Sequence, residues 1–207
     1  PEAVRAELQA AREAGIEAVA VAFVHGYRHT AHERRVAAIA RELGFAQVTA
    51  SHEASALMKL IPRGDTAVVD AYLTPVLRRH IAGLREALGA TRLMFMQSNG
   101  GLADAAVFRG KDAILSGPAG GIVGAARTAG MAGIERVISF DMGGTSTDVA
   151  LHDGAFERTR DSEIAAVRVR APMLRIHTVA AGGGSVLHWD GQRYRVGPAS
   201  AGANPGP

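Results

Sequence analysis

Residues 137–154 read VISFDMGGTSTDVALHDG and gather Asp141, Gly143, Gly144, Thr145, Ser146, Thr147 and Asp148 between two apolar runs. Acids, hydroxyls and bare backbone this close together have the makings of a phosphate and metal site. Adjacent glycines between strands favour a two-residue hairpin turn. Centred on Gly143 and Gly144, that turn sets Asp141 opposite Ser146, Phe140 opposite Thr147, Ser139 opposite Asp148 and Ile138 opposite Val149. Side chains alternate along a strand, so Ile138, Phe140, Thr147, Val149 and Leu151 share one face. Ser139, Asp141, Ser146 and Asp148 share the other. Asp141 and Asp148 are then diagonal neighbours, ~7 Å apart. Like charges at that range repel unless a cation or donors sit between them, and hydrated magnesium binds through few carboxylates plus phosphate oxygens. Asp141 and Asp148 are therefore the candidate metal-holding residues. Gly143 and Gly144 let backbone N–H groups approach a phosphate, and Thr145, Ser146 and Thr147 complete the candidate contacts. The competing reading is a polar-faced hairpin whose acids only cap turns, since short glycine motifs recur by chance.

Other constellations are weaker. SGPAGG at 116–121 opens a helix whose free N–H groups suit an anion, with Gly120 and Gly121 as contacts. The same glycines equally suit close helix packing through Gly120 and Gly124. His177 and Thr178, followed by glycines at 182–184 and Ser185, read as a further hairpin with open backbone, or as a flexible turn. His25, His29, His32 and Glu33 offer metal-ligand types, with His29 and His32 spaced i, i+3. Thr30 and Glu33 also fit a capping box, which leaves the histidines solvated. Asp65 reads as an N-cap before a long helix. Arg63 could reach a substrate carboxylate or lie on the surface.

The elements that must position these residues follow from periodicity. A helix pattern over 3–14 ends at Gly15, and AVAVAFV at 18–24 reads as a buried strand. A second helix stopped by Gly44 and a strand near QVTAS make a βαβ-like layer. The longest helix signal runs from Asp65 to Leu88. Val69, Tyr72, Leu73, Val76, Leu77, Ile81, Leu84 and Leu88 form its stripe, and Pro75 predicts a kink or fresh start. LMFMQ at 93–97 is another buried strand. Beyond it come the turn at Gly100 and Gly101, the glycine-rich helix, and strand signals at 137–141, 146–151, 164–169, 174–180, 185–189 and 192–196.

The chain has 207 residues, 47% hydrophobic and 21% charged, as a globular protein does. Its 23 Lys+Arg against 20 Asp+Glu are scattered, without the groove-lining cluster that nucleic acid requires. With no cysteine there are no disulfides or thiolate metal sites, consistent with a reducing, cytoplasmic setting. No apolar run is long enough for a bilayer, so no membrane partner is expected. The start at Pro1 inside a helix pattern and the stop at ANPGP read as an interior piece of a longer protein.

FDMGGTSTDV resembles the phosphate hairpin of actin-like, sugar-kinase and Hsp70-type ATPases. Over nearly its whole length the chain resembles the hydantoinase A/5-oxoprolinase family. The stretches that carry the likeness include VAFVHGYRHTAHERRVAAIA, LIPRGDTAVVDAYLTPVLRRH, LMFMQSNGGL, GKDAILSGPAGGIVGAARTAG, RAPMLRIHTVAAGGGSVLHWDG and VGPASAGANPGP. Within the family, GKDAILSGPAGGIVG, IHTVAAGGGS and SAGANPGP are more similar to 5-oxoprolinases than to hydantoinases in general.

The resemblance implies an α/β, actin-like/ribonuclease-H-like ATPase fold, here a fragment with a β-hairpin-rich C-terminal half. Residues 1–64 would close an N-terminal domain and 65–207 begin the next. It also implies ATP and Mg2+ as cofactors, Asp141 and Asp148 as catalytic residues, and ATP-driven hydrolysis of a small-molecule lactam, 5-oxo-L-proline to L-glutamate. A hydantoinase B-like domain or subunit would be the partner, and the full-length form a homo-oligomer. Family members carry an earlier loop of the same kind; this chain has one copy, so its cleft would bind nucleotide weakly alone. A hydantoinase A subunit acting on hydantoins, an activator-type ATPase and a purely structural hairpin remain alternatives.

Overall fold

The computed structural model describes residues 2–164, 166–202 and 204. Of the terminal ANPGP stretch, Ala203, Pro205, Gly206 and Pro207 lie outside the described residues, as do Pro1 and Ala165. The chain divides into two compact units, Pro1–Ile114 with Thr159–Met173, and Leu115–Arg158 with Leu174–Pro207. Helices dominate the first and strands the second, giving mixed α/β content with a strand-rich C-terminal half.

In the first unit, the helix Glu2–Glu13 precedes two parallel strands, Ala18–Val21 and Gln47–Ala50, paired Ala18 to Gln47 through Val21 to Ala50. The helix Ala31–Glu42 makes the crossover, as the strand–helix–strand pattern predicts. Leu43 N–H and Gly44 N–H close on Ile39 and Arg41 carbonyls, and Gly44 at φ 81° turns the chain out of the helix. The first strand stops at Val21 instead of continuing to Val24. Phe23 N–H is taken by Glu33 Oε1 at 2.9 Å, and its carbonyl accepts from Gly26 N–H and from Arg63. Backbone groups engaged in this way cannot serve a sheet ladder.

The helix Leu60–Leu88 begins five residues before the predicted N-cap, so Asp65 lies inside it. Pro62 was the better start signal, because in a first turn its missing N–H costs nothing. Pro75 produces no break in this helix. The turn just before it is held from outside: Gly110 N–H donates to Thr74 Oγ1 at 3.1 Å, and Thr74 Oγ1 lies 3.3 Å from Asp70 Oδ1. A Cβ on Gly110 would come within 2.8 Å of the Thr74 nitrogen, so only glycine admits this approach.

The buried face of this helix also differs from the apolar stripe. Tyr72, Val76 and Leu88 are exposed, whereas Arg63, Thr66, Asp70 and Thr74 are buried together with Ala67, Ala71 and Ile81. Asp70 accepts from Thr49 Oγ1 (3.0 Å), Arg109 Nη2 (2.8 Å) and Lys111 N–H (3.2 Å). Tertiary partners, rather than hydropathy, selected the face. A separate apolar cluster joins Ile81, Ala105 and Phe108 to the half-buried Leu77 and Phe95, with the Phe95 and Phe108 rings stacked at 5.2 Å. The strand Met94–Met96, expected to be buried, is half-buried with Met94 exposed, and among the described residues pairs only with Leu102–Asp104.

In the second unit, the helix Ser116–Met131 precedes the antiparallel hairpin of Arg136–Met142 and Thr147–Asp153. The strand His177–Val179 adds to the far side of Thr147–Asp153, so the hairpin's second strand is central. A further hairpin joins Ser185–Trp189 to Tyr194–Ser200 through the predicted turn at Asp190 and Gly191. There Asp190 accepts from Arg195 Nε and from Gln192 and Arg193 N–H, with the arginine foremost in holding its carboxyl below the ordinary range.

Candidate functional site

The hairpin forms with a register two residues away from the one the glycines alone suggest. Gly143 N–H donates to Ser146 O at 2.9 Å, so the bend falls on Gly144 and Thr145. Asp141 pairs with Asp148, Met142 with Thr147, Phe140 with Val149 and Ser139 with Ala150. A shift of two keeps every side chain on its predicted face, because the pleat has period two. The acids, however, stand directly opposite one another instead of diagonally, which brings their Cβ atoms to about 5 Å.

The two faces have opposite surroundings. Ile138, Phe140, Met142 and Leu151 are exposed on the apolar side. The polar side is covered by the glycine-rich helix, whose Ala119, Ile122 and Ala126 are buried. A cavity of about 240 Å³ lies there, lined by Gly121, Ile122, Ser139, Asp141, Asp148 and Ala150 among others, and no basic side chain borders it. A Cβ on Gly121 would lie 3.5 Å from Asp141 Oδ2. Gly121 thus sits at the cavity and Gly120 is half-buried in the same turn. Gly124 is exposed with nothing within 4 Å of an added Cβ, so the close helix packing expected there is not made.

Asp148 is half-buried and accepts a 2.6 Å hydrogen bond from Thr178 Oγ1, its register partner on the neighbouring strand. Asp141 is exposed and has no hydrogen-bond or ion-pair partner among the described residues. Two facing carboxylates, one of them unpartnered, call for a cation. Among the described residues no group of three His, Asp or Glu side chains could hold a metal. Two carboxylates fit magnesium, which retains waters and takes phosphate oxygens, better than they fit a cation caged wholly by protein.

The glycines at 182–184 do not form a hairpin of their own. Gly183 N–H donates to Gly143 O at 2.9 Å and Gly184 N–H to Gly144 O at 2.8 Å, so this segment straps the bend. Thr147, buried on the opposite face from the acids, donates to Ala181 O at 2.6 Å and tethers the strap. Gly182 N–H donates to Ser185 Oγ at 2.9 Å. Thr145 is exposed at the bend and Ser146 half-exposed beside it. Sequence reasoning missed the strap: the strand beyond the glycines, Ser185–Trp189, pairs onward with Tyr194–Ser200 instead of back with His177–Val179, which leaves residues 182–184 free to meet the bend.

The remaining candidates belong to the first unit and are structural. Glu33 closes no capping box: Thr30 makes no side-chain cap, and the Glu33 carboxylate is wholly buried. It accepts from Ser51 Oγ (2.6 Å), Phe23 N–H (2.9 Å), His52 N–H (3.0 Å) and His52 Nδ1 (2.7 Å). Burial pushes its pKa up, but those hydrogen bonds together hold it below the ordinary carboxylate range. His25, His29 and His32 are exposed. Arg63 is neither on the surface nor offered to a ligand. It is wholly buried, with Nε on Ser51 Oγ at 2.8 Å, Nη1 on Leu57 O at 3.1 Å and Nη2 on Phe23 O.

Fold and site thus define a mixed α/β protein whose C-terminal half carries a strapped glycine bend beside an open acid pair. Residues 63–207 match the hydantoinase/oxoprolinase family and residues 1–44 match the hydantoinase/oxoprolinase N-terminal region. The chain belongs to the hydantoinase/oxoprolinase family. It is 47% identical to 5-oxoprolinase of Saccharomyces cerevisiae, over 99% of this chain and 16% of that protein. It is 44% identical to 5-oxoprolinase 1 of Arabidopsis thaliana, over 100% of this chain and 17% of that one. The crystal structure of the ATP-dependent caprolactamase from Pseudomonas jessenii superposes with a TM-score of 0.83 at 40% identity, over 100% of this chain and 31% of that chain. The chain therefore spans about a sixth of the length of these 5-oxoprolinases. No helix among the described residues is long and apolar enough to cross a membrane.

Proposed function

We propose that this chain supplies the phosphate-and-metal hairpin of an ATP-dependent hydrolase acting on cyclic amides, with 5-oxo-L-proline as substrate and L-glutamate as product. The observation that carries the reading is the direct pairing of Asp141 with Asp148 over a cavity that holds no basic side chain. The two relatives named 5-oxoprolinase and the neighbour named ATP-dependent caprolactamase support it, the last because it too concerns a lactam. The paired acids and the bend also suit an actin-like ATPase fold. In that frame, residues 1–64 close one domain and 65–207 open the next, in a cytoplasmic homo-oligomer working with a hydantoinase B-like partner.

A lactam is a poor electrophile. Magnesium-bound ATP would supply the phosphoryl group that activates its carbonyl carbon; one water would add there as the C–N bond breaks and the nitrogen leaves as the amine, and a second would release the phosphoryl group as phosphate. Catalysis of such transfer is mostly positioning and charge neutralisation. Asp141 and Asp148 would hold the magnesium. Thr178 fixes one Asp148 oxygen, which leaves the other to the cavity. Gly144, Thr145 and Ser146 offer backbone and hydroxyl donors to phosphate, whereas the Gly143 N–H is spent on closing the bend to Ser146 O. Gly121, and not Gly120, lines the helix side of the cavity and keeps it open.

The test is glutamate release from 5-oxoproline coupled to ADP formation by the complete gene product, wild type against Asp141→Asn. Coupled turnover that collapses in the variant with the fold intact is expected. Near-normal turnover in the variant would refute the assignment. ADP formed with hydantoins but not with 5-oxoproline would move the substrate to the hydantoinase class.

A further inference from the structure

The strap has a consequence for the bend that follows from peptide geometry. In a planar trans peptide the C=O and the N–H of the next residue point in opposite directions. The carbonyls of Gly143 and Gly144 both point at the strap, where the N–H groups of Gly183 and Gly184 hold them at 2.9 and 2.8 Å. The N–H groups of Gly144 and Thr145, which share those two peptide planes, therefore both point away from the strap. Neither donates to an acceptor among the described residues. Two consecutive amides held side by side with no acceptor make a concavity for an anion.

We infer that residues 182–184 are a positioning element that aims the Gly144 and Thr145 amides at a tetrahedral phosphate oxyanion. The inference rests on the phosphate reading of the hairpin and deepens it. An unstrapped glycine bend can rotate either peptide, and a rotated peptide presents a carbonyl, which repels phosphate. The strap removes that freedom before the ligand arrives, which is how preorganisation raises affinity. Space at the strap fits this role. A Cβ on Gly182 would lie 2.6 Å from Gly143 O, Gly144 C and Thr145 N, all backbone atoms that cannot yield cheaply. Even alanine at 182 must lift the strap off the bend. The strap is tethered at its start by Thr147 Oγ1 on Ala181 O, closed on itself by Gly182 N–H donating to Ser185 Oγ, and held at its far end by Ala201 N–H donating to Gly184 O at 2.7 Å.

The experiment measures Mg-ADP affinity by calorimetry, and hydrogen exchange of the peptides covering 143–146 and 182–184, in the complete gene product. In wild type, Mg-ADP should slow exchange across 143–146. Gly182→Ala should weaken the Kd by about tenfold or more, since two charge-assisted hydrogen bonds lose their aim, and should abolish the protection at 143–146. Ser185→Ala opens no clash and keeps the fold, so it guards against misfolding of the glycine variant. It should speed exchange at 182–184 and weaken the Kd by about threefold. Wild-type affinity in a folded Gly182→Ala protein overturns the inference and leaves the phosphate reading standing. No Mg-ADP binding by wild type overturns both.

Discussion

Two carboxylate sites in this chain differ in what surrounds them. In the helical unit, Glu33 is buried and receives four hydrogen bonds, and Arg63 nearby is equally saturated through Ser51 and backbone carbonyls. In the strand-rich unit, Asp141 faces a second carboxylate, receives no protein donor among the described residues and opens on a cavity. Burial of charge is affordable only when every lone pair and proton finds a partner. A saturated acid has no valence left for a ligand and serves the fold. An acid left opposite another acid weakens the fold unless something else arrives. The contrast separates scaffold from candidate site without reference to any relative.

The largest effect expected from breaking the contrast is on the scaffold side. Arg63→Ala should cost about 3–5 kcal/mol, because it leaves Ser51 Oγ, Phe23 O and Leu57 O without their donor inside the protein, each at about 1–3 kcal/mol. Denaturant unfolding, with hydrogen exchange of the helix Leu60–Leu88 as the local probe, would measure it. Asp141→Asn should do the reverse. Stability should hold or rise as the facing charges lose their repulsion, while coupled turnover drops by about a hundredfold or more. A melt and a turnover assay on the same sample separate the two behaviours, and loss of stability in this variant would place Asp141 with the scaffold.

Thr178 sits between the extremes, since it donates to an acid of the site. Thr178→Val should lower magnesium-dependent turnover by about tenfold through misorientation of Asp148, as is common when a ligand's hydrogen-bond partner is lost. Thr178→Ser, which keeps the hydroxyl, should restore most of it; equal loss in both variants would reduce the role to packing.

The smallest effect is one of pH. Glu33 has its folded-state pKa lowered beneath the ordinary value of 4.5, so its stabilisation is fully present above that value and fades as pH falls through the lowered one. Unfolding free energy measured across the acid range should therefore fall with pH, and Glu33→Gln should flatten that slope. An unchanged slope in the variant would show that other carboxylates govern the acid limb.

How much could be read without coordinates differs between the two units. The crossover of two strands over the helix Ala31–Glu42 was legible because apolar period and glycine stops agree there. The face of the long helix was not. Thr66, Asp70 and Thr74 carry no hydrophobic signal, and their partners lie far away in sequence: Arg170 for Thr66, Thr49 and Arg109 for Asp70, Gly110 for Thr74. Thr30 and Glu33 matched a capping box by spacing, yet Glu33 turned inward because Ser51, His52 and the Phe23 amide together satisfy it better than one N-terminal amide could.

The sequence alone determined the content of the hairpin: which residues are acids, which lack side chains, and, through the period of two, that Asp141 and Asp148 share a face. That much is local, set by covalent geometry. Only the tertiary structure decided that the acids oppose one another directly, that Thr178 serves Asp148, and that residues 182–184 hold the bend. The strap and the Thr178 bond join residues thirty or more apart, and no local pattern encodes where such partners will meet. The register follows from the bend closing through Gly143 N–H and Ser146 O, one of two turns that keep the same faces.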